Sequence, residues 1–156
     1  MDFTSSLDRK MEEVERPPVR PVGHYICSVK QHPDIDDIVS KKDGREFTKV
    51  EFIMEIVSAG EDVDPDELAE YGNPKGGQLR KAFIFSKDAD DAAGQARSEY
   101  NLKRFLNEHL GLDEDLTFRE AFAAATGTQC LVELKHRPDP ENPEVLYEEA
   151  GKTAPV

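Results

Sequence analysis

Phe47-Thr48-Lys49-Val50-Glu51-Phe52-Ile53-Met54-Glu55-Ile56-Val57 decides the reading of this chain. Val50, Phe52, Met54 and Ile56 fall on one side of an extended backbone; Lys49, Glu51, Ile53, Glu55 and Val57 fall on the other. A period of two is the mark of a half-buried strand. The second half of the stretch is apolar on both sides, as expected where a strand crosses the centre of a small barrel. Gly60 ends it.

Upstream, the chain alternates from His24 to His32, with Tyr25, Cys27 and Val29 on one face and His24, Ser28 and Lys30 on the other. This predicts a first strand. A turn-rich stretch, His32-Pro33-Asp34-Ile35-Asp36-Asp37 and then Lys41-Lys42-Asp43-Gly44-Arg45, joins it to the long second strand. Residues 1–22 show little pattern; a short helix through Leu7, Met11 and Val14 is stopped by Pro17, Pro18 and Pro21. We read 1–22 as an arm, 23–150 as the domain and 151–156 as a short tail.

Downstream, an acidic loop at 61–79 precedes a third strand, Arg80 to Lys87, around Phe83, Ile84 and Phe85. Leu102, Phe105, Leu106 and Leu110 then recur at helical spacing, with Gly111 just past the end. Thr117-Phe118-Arg119-Glu120 has capping-box spacing and opens a helix through Phe122 that stops at Gly127. Cys130, Val132 and Leu134 alternate with Leu131, Glu133 and Lys135 as a fourth strand. After the turn Arg137 to Pro143, Glu144 to Ala150 returns as a fifth. Three strands, a helical segment and two strands predict a mostly β fold: a five-stranded OB-like Greek-key barrel with the helical segment between strands three and four. An α+β sandwich is the alternative.

At 156 residues the chain has the size of one domain. Its 37% hydrophobic and 34% charged composition is polar but foldable, against about 45–50% and 25% for typical domains. No apolar run approaches the roughly 20 residues of a membrane span, and the first residues lack a signal-peptide build, so the expected location is the cytoplasm. Cys27 and Cys130 are expected to be reduced and buried.

The net charge of −13 argues against strong non-specific binding to nucleic acid, which favours basic surfaces. The excess is local: residues 61–79 carry six acids, Glu61, Asp62, Asp64, Asp66, Glu67 and Glu70, against one base, Lys75. They are the candidate docking surface for a basic protein partner. Catalytic and metal motifs are thin. Asp34, Asp36 and Asp37 beside His32 are the carboxylates a hard divalent cation prefers, but acid-rich turns are common in so acidic a chain and no metal site is expected. Asp88, Asp90 and Glu99 miss a calcium loop because Ala92 cannot ligate and Gly94 comes one place late. Gly72 to Gly77 lacks the GK[ST] ending of a phosphate loop. No enzyme activity and no cofactor are expected.

Basic residues are interleaved with the strands. Lys30 and His32 end the first; Lys41, Lys42, Arg45, Phe47 and Lys49 surround the entry to the second; Arg80 and Lys81 open the third; Lys135 and Arg137 close the fourth. With Phe47 or Tyr147 as a stacking face, these are the candidate nucleic-acid-binding residues, since single strands are held by cations along the backbone and flat rings under the bases.

Pro21-Val22-Gly23-His24-Tyr25, Phe47 to Ile56, Leu102-Lys103-Arg104-Phe105-Leu106 to Gly111, and Gly127 to Leu134 with Glu144 to Ala150 and Pro155 together resemble small phage-encoded OB-fold proteins. These belong to phage replication and recombination, and several bind single-stranded DNA. The resemblance covers residues 17–155. It implies a non-catalytic single-stranded DNA-binding protein of the host-cell cytoplasm. The chain departs from the family in its long acidic loop, its acidic body and the lack of an acidic tail after Gly151. The alternative is an acidic module that mimics DNA and inhibits a basic host or phage protein.

Overall fold

A computed structural model describes residues 3–156. Six strands form one antiparallel sheet: β1 (Gly23–Val29), β2 (Asp34–Val39), β3 (Glu46–Ala59), β4 (Gln78–Ser86), β5 (Gln129–Pro138) and β6 (Leu146–Ala154). The order across the sheet is β2-β3-β1-β5-β6, with β4 also on β3. β3 is 14 residues long because it serves three partners. β4 pairs with it from Phe47 to Glu55. On the other edge, β2 takes Glu46 to Glu51 and β1 takes Met54 to Ala59.

The alternation read from the sequence sets the inner face. Val50, Phe52, Met54 and Ile56 are buried, as are Tyr25, Cys27 and Val29 of β1 and Cys130, Val132 and Leu134 of β5. α2 (Ala92–Arg104) runs on into a π-helical turn, Phe105–His109, and α3 (Phe118–Ala124) follows. Between them they bring Leu102, Phe105, Leu106, Leu110, Ala121 and Phe122 onto the sheet. Phe52 is the centre: its ring lies 5.0 Å from Phe105, 5.9 Å from Phe122 and 6.1 Å from Phe83. The capping box at Thr117 and Glu120 forms as the sequence predicts.

Four expectations need correction. The stretch read as a turn after His32 holds a sixth strand, β2, whose residues are exposed or half-buried on both faces, so no apolar alternation marks it. The acidic loop contains a helix, α1 (Pro65–Tyr71), started by Asp64, whose carboxylate accepts from Asp66 N and Glu67 N. The last strand starts later and runs to Ala154, so most of the presumed tail is strand. In the arm, Leu7, Met11 and Val14 do not share an α-helix; two short 3-10 turns, Phe3–Ser6 and Met11–Glu13, leave them exposed.

The sheet does not close. No ladder joins β4 to β6 among the described residues. α2 caps the free side of β4 instead: Ser98 Oγ donates to the Ile84 carbonyl at 2.8 Å, and Gln95 Nε2 to that of Ser86 at 3.0 Å. Where the chain leaves β3, Gly60 passes so close to β1 that a Cβ there would collide with the His24 carbonyl. No helix among the described residues is long and apolar enough to cross a membrane.

Cys27 and Cys130 sit opposite each other in the β1–β5 register, both free. Burial pushes each thiol up to about 12, so neither is a thiolate near neutrality. Ellman's reagent should therefore label neither in the native protein and both after unfolding in guanidinium. Phe52→Ala empties the middle of the aromatic cluster and should cost about 3–5 kcal/mol in urea unfolding.

Candidate nucleic-acid interface

The outward side of β3 and β4 carries most of the expected residues. Phe47, Lys49 and Glu51 alternate with the buried positions of β3, and Arg80 lies on β4 opposite Ile53. Glu51 holds the two cations together: its Oε1 is 2.7 Å from Arg80 NH1 and its Oε2 is 3.7 Å from Lys49 Nζ. At the end of the β2–β3 turn, Arg45 lies over the Phe47 ring, 5.5 Å from its centroid, and 4.0 Å from Asp91 Oδ2. Lys41 and Lys42 project from that turn, which Gly44 closes with φ +72° and a bond from its N–H to the Ser40 carbonyl. Lys30 and His32 stand exposed just beyond β1. The His32 ring bonds the Pro33 carbonyl at 2.8 Å and meets Phe122 edge-on at 5.9 Å.

Six of these residues, Lys41, Lys42, Arg45, Phe47, Lys49 and Arg80, lie on the β2–β3 hairpin and on β3 and β4, while Lys30 and His32 stand at the end of β1, where the His32 ring packs on the helix-covered side of the sheet. The remaining basic candidates lie elsewhere. Lys135, Arg137 and Tyr147 sit on β5 and β6, across β1 from β3. Lys135 is 3.7 Å from Glu133. Tyr147 is already occupied: Arg16 and Arg137 lie 4.7 and 5.2 Å from its ring centroid, and its hydroxyl donates to Asp139 Oδ2 at 2.9 Å. That bond and the Glu141 N–H hold the Asp139 carboxyl below its ordinary range, the N–H contributing most.

Lys81 is the clearest displacement. It follows Arg80 directly, so the strand pleat turns it to the opposite side, in phase with Leu79 and Phe83. It is half-buried, donates to the Gly151 carbonyl at 3.1 Å and lies 5.8 Å from the Phe83 ring centroid. The sequence carries the signal, a lysine in the apolar phase of a strand. The neighbours that strand meets, Arg104, His109 and Lys152, come from α2, the π turn and β6, and no spacing links them.

The acidic stretch is used by the fold. Asp62 accepts from the His24 N–H at 2.8 Å and meets His24 Nδ1 at 2.7 Å, and these bonds hold its carboxyl below the usual range. Asp64 caps α1. Glu61, Asp66, Glu67 and Glu70 remain exposed. The far end of the segment is tied down by Arg20, which pairs with Glu148 at 2.8 Å, donates to the Pro74 carbonyl and lies 5.3 Å from the Tyr71 ring centroid. The Arg20 carbonyl in turn meets His136 Nε2 at 2.6 Å, and the Tyr25 hydroxyl donates to the Pro21 carbonyl at 2.7 Å.

No protein-family model matches this chain, and no curated protein matches its sequence. The interface therefore rests on its own geometry.

Arg20 and Glu148 are only 13% and 18% exposed, so removing one partner strands the other in a poorly hydrated place. Arg20→Ala should cost about 3 kcal/mol in urea unfolding and make limited proteolysis between residues 61 and 77 faster than in the parent protein.

Proposed function

We propose that this protein is a non-catalytic single-stranded DNA-binding module of the phage replication and recombination type. The observation that carries the reading is the convergence of Lys41, Lys42, Arg45, Phe47, Lys49 and Arg80 on the hairpin and face built by β2, β3 and β4. The strand connectivity supports it. Leaving β2 aside, the sheet order β4-β3-β1-β5-β6, with helices between β4 and β5, is that of an OB barrel. β2 is then an insertion between its first two strands, and the β4–β6 seam is its unclosed side.

On this reading Phe47 stacks under a base, Arg45 swings from its ring to a phosphate, and Lys41, Lys42 and Lys49 follow the backbone. Glu51 sets the geometry by holding Lys49 and Arg80 side by side. It also subtracts charge, which keeps the face selective for a strand that offers exposed bases as well as phosphates. A chain of net charge −13 has little long-range attraction for DNA, so affinity depends on this local patch and on stacking, worth about 1–3 kcal/mol per base.

Fluorescence anisotropy with labelled oligothymidine and with a matched duplex tests the proposal. The expected result is binding to the single strand, weaker binding to the duplex, and affinity that falls as salt rises. Phe47→Ala should cost about 1–3 kcal/mol of binding. Lys49→Glu should weaken binding and flatten the salt dependence, while Glu51→Gln should tighten it. Absence of single-strand binding at low salt overturns the proposal.

A further inference from the structure

A second polar concavity lies away from this face, on the open seam of the sheet. A cleft of about 680 Å³ runs between β4 and β6 under α2 and the π turn. Its chemistry comes from Lys81, Ser98, Asn101, Arg104, His109 and Lys152, over a floor formed by Phe83 and Phe105. The walls thus carry three cations, an imidazole, an amide and two hydroxyls, those of Ser98 and Thr153, which are engaged by the Ile84 carbonyl and His109. No carboxylate lines the cleft among the described residues, in a chain where acids outnumber bases 33 to 20.

The nearby acids are already engaged. Glu108 pairs with Arg104 Nε at 3.0 Å, leaving the two terminal guanidinium nitrogens of Arg104 without a bond to it. Glu133 accepts from the Lys152 backbone N–H at 3.3 Å and lies 3.7 Å from Lys135 Nζ. Lys81 spends one donor on the Gly151 carbonyl and keeps two. His109 Nδ1 is fixed by Thr153 Oγ1 at 2.7 Å, which leaves Nε2 as the ring's free nitrogen.

We infer that this cleft binds the phosphate group of a small phosphoanion. Arg104 supplies the planar fork, Lys81 and Lys152 supply point charges from the two strands that flank the gap, and Asn101 supplies a neutral donor from above, the Ser98 hydroxyl being spent on the Ile84 carbonyl. Because the anion joins β4 to β6 through their lysines, it does the work that a closing ladder would do. Burial holds the Lys81 ammonium and the His109 imidazolium below their ordinary pKa values. A half-desolvated ammonium gains more from an incoming anion than an exposed one does.

The cleft shares no residue with the β2–β3–β4 face, so its test is independent of single-strand binding. Proton–nitrogen correlation spectra of the full chain are recorded during titration with sodium pyrophosphate, with chloride matching the ionic strength. The expected result is saturable shifts at the amides of residues 81–84 and 152–153 in the millimolar range. Arg104→Gln and Lys152→Gln, which leave the Lys81 clasp in place, should each weaken that response about tenfold. Absence of saturable shifts at these amides, or equal responses in both variants and the parent, overturns the inference. Adenosine monophosphate, and oligothymidine with and without a 5′-phosphate, then distinguish a free nucleotide from a strand end as the source of the phosphate.

Discussion

Everything in this fold hangs on one strand having more length than any single partner can use. β3 gives one edge to β4 and divides the other between β2 and β1. Its inner face supplies Phe52, on which three aromatic rings from β4, the π turn and α3 converge. The same residues that set the core therefore set the outer face, because the pleat fixes both at once. Shifting β3 by one residue would bury Lys49 and Glu51 and expose Phe52.

That coupling explains what the sequence could and could not show. β3, β1 and β5 each announced a buried face by alternation, and β4 announced itself by the apolar run Phe83, Ile84 and Phe85. The helices were legible from Leu102, Phe105, Leu106 and Leu110 and from the capping box at Thr117 and Glu120. β2 buries neither face, so Asp34, Asp36 and Asp37 read as a turn. α1 is held by an Asp64 cap and by Arg20 reaching in from the arm, and the second of these is a long-range contact that no local pattern encodes. The grouping of the candidate residues was legible only in part. Residues on neighbouring stretches, from Lys41 to Lys49, came together with Arg80, while Lys81 went to the seam because adjacent strand residues face apart. Tyr147 is flat and aromatic as its sequence position promises, but Arg16, far away in the chain, had taken a place over it.

The acidity of the chain also acquires a different meaning in three dimensions. Glu51 aligns two cations, Asp62 fastens β1 to the segment after β3, Asp64 and Asp91 start helices, and Glu148 anchors the arm through Arg20. Several of the carboxylates are thus spent on positioning, and cations gather without a lining carboxylate at the seam.

The hairpin that carries Arg45 and Phe47 has a further property. Apart from backbone pairing, what holds β2 is Asp37, which accepts from Thr48 Oγ1 and pairs with Lys87 at 2.9 Å. With no side chain in the core, β2 can detach from β3 at the cost of its own ladder alone, far less than global unfolding. Its acids also discourage a second sheet from pairing with the exposed edge. The chain therefore sets an outer strand held by its own ladder and the Asp37 contacts beside a central strand anchored in the core, so the order of β2 draws nothing from the core.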